Sequence, residues 1–302
     1  MKKNKGYYLI FWSVITLVFF YLVNDYVFRN FKAVSVTNVV FWGWLGANII
    51  LSPVFLGTKN ARQKLKNEIL SYGKLAISVS ILTSIGGFLW FLAMSESNSG
   101  VISLLEKSDV IFIFILGVIF LREKIMIKEI IPMIISIMGL FLISNLKGEI
   151  SSLGVFAILF GQFLYSVQSF LIKKFGQKMN SFYFSYVRSV LMLFFTGIFF
   201  IILGKIEIIP LNVIIILTIA QVFGVFLARY LFFEAHKFLP ISKLSFLMLS
   251  ESILTLIGAF IVFGDAVSMQ KFIGGFLVLI GLLFFLREQY VPLECEKNNL
   301  YK

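Results

Sequence analysis

Long apolar stretches recur along the whole chain and constrain its fold more than any other feature. A helix needs roughly 20 apolar residues to cross the hydrocarbon core of a bilayer, and each stretch has about that length. The stretches lie at about 7–28, 35–57, 72–94, 99–121, 126–145, 151–173, 180–203, 210–234, 240–263 and 269–287. The sequence therefore predicts an all-α integral membrane protein with ten transmembrane helices.

Composition supports a membrane environment. Hydrophobic residues make up 59% of the 302 residues and charged residues 14%, whereas soluble domains carry about 25% charged residues. The regular alternation of a membrane β-barrel is absent, which leaves helices as the spanning elements. With one cysteine, Cys295, and one histidine, His236, we expect no metal site and no cofactor.

The basic residues indicate orientation rather than nucleic-acid binding, because they lie in short segments between the apolar stretches. If the first helix starts in the cytoplasm, most Lys and Arg fall on the cytoplasmic side, as the positive-inside rule requires. We therefore predict a multi-pass plasma-membrane protein with both termini cytoplasmic. The longest predicted loop, 58–71, is basic; we interpret it as a solvated topological anchor, with a short helix on anionic lipid as the alternative.

The chain contains a weak internal repeat. A shift of 142 positions aligns 91–142 with 233–284 without a gap and pairs several polar and glycine residues: Ser108 with Ser250, Asp109 with Glu251, Glu123 with Asp265 and Gly139 with Gly281. Each half, 1–148 and 149–302, then holds five predicted spans. An odd number of spans makes the second half enter the membrane inverted, which is typical of transporters with a substrate site between two repeats.

Two segments of the repeat resemble a known signature. The segments 104–125 (LLEKSDVIFIFILGVIFLREKI) and 246–267 (FLMLSESILTLIGAFIVFGDAV) resemble that of the EamA type of the drug/metabolite transporter superfamily. Its pattern is an acid-proline pair, an apolar span and Leu-Gly-Glu. Val110 and Ser252 replace the prolines, and Arg122 replaces the first glycine. The resemblance implies a ten-helix permease for small metabolites, not an enzyme.

Charged residues inside apolar spans are costly and therefore candidates for function. Asp109 and Glu251, repeat mates near the midplane, are candidates for binding a solute or coupling protons. The other charged candidates are Glu106, Lys107, Arg188 and Arg229. Arginine can bind a carboxylate or phosphate with two parallel hydrogen bonds. As an alternative, Lys107, Arg188 or Arg229 neutralises the acids and only holds the helices in register.

Uncharged polar and aromatic residues complete the candidate set: Asn48, Gln162, Gln221, Trp44, Trp90 and Tyr165. Amides can bind a solute, but between membrane helices they also serve as weak interhelical contacts. The three aromatic residues could line a cavity. We interpret His236, at the cytoplasmic end of the eighth span, as an interfacial residue.

The leading hypothesis is a secondary transporter that exports a small polar metabolite, such as an amino acid, by alternating access between two inverted repeats. Its expected partners are that solute, the lipid bilayer and, as a hypothesis, protons. No nucleic-acid partner is expected. A non-transporting membrane scaffold or receptor is the alternative, and an intramembrane enzyme is a weaker one because the chain shows no nucleophile-and-base or metal cluster.

Overall fold

The computed structural model describes residues 2–31, 34–96, 108–123, 127–143, 152–202, 206–264, 269, 273–281 and 283–285. Within these ranges the regular secondary structure is helical, and none of the described residues forms a strand. The predicted candidates Glu106 and Lys107 lie outside the described residues. The predicted all-α class is confirmed for the part of the chain described.

The helices follow the predicted apolar stretches in order. We number them α1 Lys2–Asn30, α2 Val36–Leu56, α3 Lys59–Glu96, α4 Asp109–Leu121, α5 Ile127–Ile143, α6 Ser152–Phe175, α7 Ser181–Ile202, α8 Leu211–Ala235, α9 Ile241–Phe263 and α10 Ile273–Phe285. Among them, α8 contains a π-helical segment at Val222–Leu227, and α9 is interrupted at Leu249.

Seven of these helices, α1, α2, α3, α6, α7, α8 and α9, are long and apolar enough to cross a membrane. Shorter apolar helices occur at Asp109–Leu121, Ile130–Gly139 and Ile273–Phe285, inside the three remaining predicted spans. The chain is therefore a multi-pass membrane protein. Ten complete spans remain a prediction.

The third helix corrects the predicted loop at 58–71. Helix α3 runs for 38 residues, Lys59–Glu96, which is roughly 57 Å at about 1.5 Å per residue and well beyond a hydrocarbon core of about 30 Å. The Thr58 hydroxyl caps its first turn by accepting from the amide of Ala61 at 3.1 Å. The loop prediction was wrong because the charged residues of 58–71 do not prevent a helix from forming there. Lys, Arg, Gln, Leu and Ala are in fact strong helix formers.

Interhelical contacts in one half have counterparts in the other when α1–α5 are matched in order with α6–α10. Helix α3 packs against α6 and α7, and α8 packs against α1 and α2. Helix α4 contacts α6, and α1 contacts α9. Exchanging the matched helices therefore converts each of these contacts into another observed contact.

Helices α5 and α10 approach closely at paired glycines. A side chain added at Gly139 would lie 2.5 Å from the carbonyl oxygen of Gly274, and one added at Gly281 would lie 2.5 Å from that of Pro132. The shift of 142 that relates the repeats matches Gly139 with Gly281 and Pro132 with Gly274, so each of these two contacts is the counterpart of the other. The neighbouring residues Ser136 and Val278 are matched in the same way. Residue numbers rise on one helix as they fall on the other, so the crossing is antiparallel.

The same shift relates the ends of α4 and α9. Arg122 ends α4 with φ 52°, and Gly264 ends α9 with φ 68°. Both residues adopt the left-handed conformation that favours glycine. The glycine of the family signature therefore stands at a position that requires a positive φ, and Arg122 adopts that conformation at a steric cost.

Candidate functional site

Arg188 is the centre of the candidate site. It lies seven residues into α7, about 10 Å from the start of that helix, and its exposed fraction is 2%. Its Nη2 donates to Thr83 Oγ1 at 3.4 Å, and its guanidinium carbon lies 5.6 Å from the centre of the Phe233 ring. Its Nε and Nη1 have no hydrogen-bond partner among the described residues. An arginine so buried normally has its donors satisfied.

Polar side chains of α3 and α6 lie next to Arg188, and one of them, Thr83, contacts its guanidinium. The Thr83 hydroxyl on α3 contacts Gln168 Oε1 on α6 and lies 2.7 Å from the carbonyl oxygen of Val79. Ser80, one turn before Thr83, donates to the carbonyl oxygen of Arg188 at 3.4 Å. Helices α3, α6 and α7 thus meet at hydroxyl and amide groups in an otherwise apolar region.

A second part of the cluster joins α2 to α7 and α8. The Trp44 indole nitrogen donates to Gln221 Oε1 at 2.9 Å. One turn further along α2, the Asn48 amide donates to the carbonyl oxygen of Ser189 at 3.4 Å, while its Oδ1 is buried without a partner. The structure therefore brings together three predicted candidates, Trp44, Asn48 and Gln221, and places them beside the helix that carries Arg188.

These residues form what we call the interior polar cluster, from five helices: Trp44, Asn48, Ser80, Thr83, Gln168, Arg188, Ser189 and Gln221. Its members are buried except Trp44, which is half-buried. Polar groups inside apolar spans are held there only at a free-energy cost, so the cluster is the strongest candidate site in the part of the chain described.

Tyr165 and Trp90 lie on the α3–α6 interface. The Tyr165 ring packs on α3, where a side chain at Gly86 would lie 3.3 Å from it. Trp90, on α3, packs with Ala93, Ala157 and Ile158. Gln162 is buried on α6, and its carbonyl oxygen accepts from the Ser166 hydroxyl of the same helix at 2.8 Å. These contacts of Tyr165 and Trp90 are thus interhelical packing contacts, whereas that of Gln162 lies within α6.

Asp109 and Glu251 occupy corresponding places on α4 and α9. Asp109 begins α4, and its carbonyl oxygen accepts from Ser166 at 3.2 Å. Glu251, with an exposed fraction of 7%, follows the interruption at Leu249 and accepts from the Thr255 hydroxyl at 3.4 Å. The backbone around Leu249 is tightened into hydrogen bonds three residues apart. Discontinuous helices are typical of binding sites in secondary transporters, so the position of Glu251 after the interruption at Leu249 keeps it a candidate.

The signature acid Glu123 has a structural contact that its position in the sequence does not reveal. Its carboxylate accepts from the amides of Ile241 and Ser242 at 2.7 and 3.2 Å and from the Ser242 hydroxyl at 2.6 Å. Glu123 therefore caps the N-terminus of α9, where a negative charge is favourable, and links the end of α4 to the other half of the chain.

Arg229 and His236 lie near the end of α8. The guanidinium carbon of Arg229 is 6.0 Å from the Phe232 ring. His236 is not interfacial as predicted: its exposed fraction is 1%, and its Nδ1 lies 2.8 Å from the carbonyl oxygen of Phe232. Burial lowers the pKa of His236 to about 3, so the ring is neutral at physiological pH. The prediction failed because a position at a helix end does not show that neighbouring helices cover it.

Sequence reasoning missed Ser80, Thr83 and Gln168. They lie inside predicted spans and were visible as polar residues there. Serine and threonine are common in membrane helices, because their hydroxyls can bond to the preceding turn, so their presence alone carried little information. Gln168 could have been found by the same amide criterion that selected Gln162 and Gln221.

The model of the EamA-like transporter family matches this chain twice, over residues 4–145 and again over 152–287. The chain belongs to the EamA-like transporter family. A relative from Methanothermobacter thermautotrophicus (strain Delta H), named "Uncharacterized transporter", is 25% identical over 232 residues, which cover 75% of this chain and 66% of the relative. The match thus spans just under two thirds of that relative.

A solved crystal structure has the same fold as this EamA-like chain. The two superpose with a TM-score of 0.74 at 14% sequence identity, and the match covers 93% of this chain and 96% of the other. At this identity the likeness concerns the fold alone. The family and the relative are named as transporters, which agrees with the resemblance found in the two signature segments.

Proposed function

We propose that this EamA-like protein exports a small polar metabolite, such as an amino acid, across the cytoplasmic membrane. The observation that carries the proposal is the interior polar cluster, buried between apolar helices of a chain that belongs to a transporter family. Its amides, hydroxyls and guanidinium offer hydrogen bonds that a polar solute needs when it leaves water. We expect the solute to bind between α2, α3, α6, α7 and α8.

We propose alternating access between two inverted halves, 1–148 and 149–302, with ten spans and both termini in the cytoplasm. Three observations support the inversion: the family matches twice, the helix contacts interchange between the halves, and α5 crosses α10 antiparallel at symmetry-related glycines. A two-fold axis in the membrane plane produces such a crossing. Repeats of this kind rock about a central site to expose it to either side.

The test is transport by the purified protein in sealed liposomes. The vesicles are loaded with a mixture of amino acids, nucleosides and sugars, and the solutes that leave are identified by mass spectrometry. We expect at least one solute to leave faster than from protein-free vesicles, with its chemical structure unchanged. Reversing the solute gradient then shows whether the protein also carries the solute in the opposite direction.

Two outcomes would contradict the proposal. If folded protein moves none of these solutes, the chain is better described as a membrane scaffold or receptor. If a solute is chemically altered, the protein is an enzyme. Protein purity and a monodisperse elution profile before reconstitution ensure that a negative result reflects the folded protein.

A further inference from the structure

The least satisfied group of the interior polar cluster is the guanidinium of Arg188. We infer that the transported solute carries an anionic group, a carboxylate or a phosphate, and that Arg188 binds this group. The inference rests on the proposed transport function and specifies the chemical class of the solute. Three features of the site support it: unused donors, uncompensated charge and contacting side chains that carry no negative charge.

The unused donors of Arg188 have the geometry of an anion site. A guanidinium presents two fork-shaped edges, one formed by Nε and Nη2 and the other by Nη1 and Nη2. Thr83 accepts one hydrogen from Nη2, whereas Nε and Nη1 are buried and have no hydrogen-bond partner in the part of the chain that the structure describes. Whichever Nη2 hydrogen Thr83 takes, one complete edge remains for two parallel hydrogen bonds to a carboxylate or phosphate.

The charge of Arg188 is not compensated by the described protein. No carboxylate of the described residues forms an ion pair with it. A buried charge without a partner is much less favourable than one that is paired. An anionic solute would supply the missing partner, whereas a cationic solute would add repulsion.

The neighbours of the guanidinium orient it without neutralising it. Thr83 is itself held against Gln168, which fixes the oxygen that accepts from Nη2. The Phe233 ring, which is fully buried, faces the guanidinium carbon at 5.6 Å. A cation beside an aromatic ring keeps its charge while its in-plane donors stay available. The site is therefore arranged for a ligand that accepts hydrogen bonds in the guanidinium plane.

Transport assays with chemically matched pairs test this inference. Reconstituted protein is given each amino acid beside its carboxamide, and glucose 6-phosphate beside glucose. We expect wild-type protein to move the member that carries the carboxylate or phosphate about tenfold faster than its partner in at least one pair, the ratio expected from one charge-assisted hydrogen bond. The amino-acid and sugar pairs distinguish a carboxylate from a phosphate.

Variants locate the preference. Arg188→Gln should bring the member that carries the carboxylate or phosphate down to the rate of its partner, and Arg188→Lys should keep part of the preference, because a charge without the fork-shaped pair of donors binds less specifically. Arg62→Gln, which removes an exposed arginine from the basic end of α3, is the matched control and should behave like wild type. If Arg188→Gln does not fold, the inference is still tested by the preference of wild-type protein within each solute pair and by the preference of Arg188→Lys.

The outcomes separate the two proposals. If uncharged or cationic members move fastest and Arg188→Gln leaves their rates unchanged, the assignment of Arg188 is overturned while the transport function stands. If no member of any pair moves, the transport function fails, and the inference fails with it. An anion preference that persists in Arg188→Gln would also overturn the assignment.

Discussion

Two residues with positive φ, Arg122 and Gly264, show how one backbone requirement is met by different side chains. Each ends a helix that leads into the signature acid of its half. The left-handed conformation costs an L-residue roughly 1–2 kcal/mol, and glycine avoids that cost. The two positions therefore allow the requirement to be tested in both directions.

We predict that Gly264→Ala lowers the free energy of unfolding by about 1 kcal/mol, and that Arg122→Gly raises it by a smaller amount, because glycine also gains freedom in the unfolded state. A side chain added at Gly264 has no atom of the described residues within 4 Å, so we attribute the cost to the backbone conformation. Thermal unfolding of the purified protein in one detergent measures both changes.

Gly275 is the matched control. A side chain added there also meets no atom of the described residues within 4 Å, but Gly275 lies in α10 without a positive φ. Gly275→Ala should therefore stabilise the protein, by up to about 1 kcal/mol. If alanine changed the free energy of unfolding equally at Gly264 and at Gly275, the left-handed conformation would not be the cause of the effect at Gly264.

At the scale of the helices, length and hydropathy predicted most of the fold, since a span must satisfy its own backbone in lipid. They failed at α3, where a basic helix continues beyond the bilayer.

The candidate site was only partly predictable from the sequence. Trp44 and Gln221 were chosen separately and proved to be hydrogen-bonded. The contact of Arg188 with Thr83 depends on which faces α3 and α7 turn toward each other, and this cannot be read from a single sequence.

The α5–α10 crossing gives the element-scale prediction. Ser136 donates to the carbonyl oxygen of Val278 at 3.3 Å, and the glycines beside them bring the backbones close. In a Cys295→Ser background, Ser136→Cys with Val278→Cys should form a disulfide on oxidation in membranes. A disulfide forms only between residues whose Cα atoms lie within about 7 Å, and the hydrogen bond between Ser136 and Val278 brings these two residues together. A mobility shift on non-reducing gels measures the product.

Met138 supplies the control for this cross-link. It lies on the same helix as Ser136 and is 58% exposed, so Met138→Cys with Val278→Cys should remain uncross-linked. Equal cross-linking of both pairs would indicate random collision in the membrane and would contradict the observed packing of α5 on α10. A parallel arrangement of the halves would bring different residues to the crossing.

At the scale of the whole molecule, the two halves are similar in arrangement and different in chemistry. Arg188 lies in α7, and its counterpart under the shift of 142 is Gly46 in α2. Asp109 and Glu251 differ in burial: both lie in the first turn of a helical segment, but Asp109 is half-buried, while Glu251 is buried and accepts a hydrogen bond from the Thr255 hydroxyl. Acids that belong to proton relays inside membrane spans face the protein interior, so proton coupling is better suited to Glu251.

We therefore predict that Glu251→Gln removes the dependence of transport on an imposed pH gradient, whereas Asp109→Asn retains it. Carboxylates inside membrane spans commonly belong to the proton relays of pumps and transporters, and Glu251 is the more buried acid of this pair. Flux into liposomes with and without a pH gradient measures the effect. Glu207→Gln, which changes an exposed acid between α7 and α8, should match wild type. Retention of the full gradient dependence in Glu251→Gln would place proton coupling elsewhere, because glutamine at this buried position cannot exchange a proton.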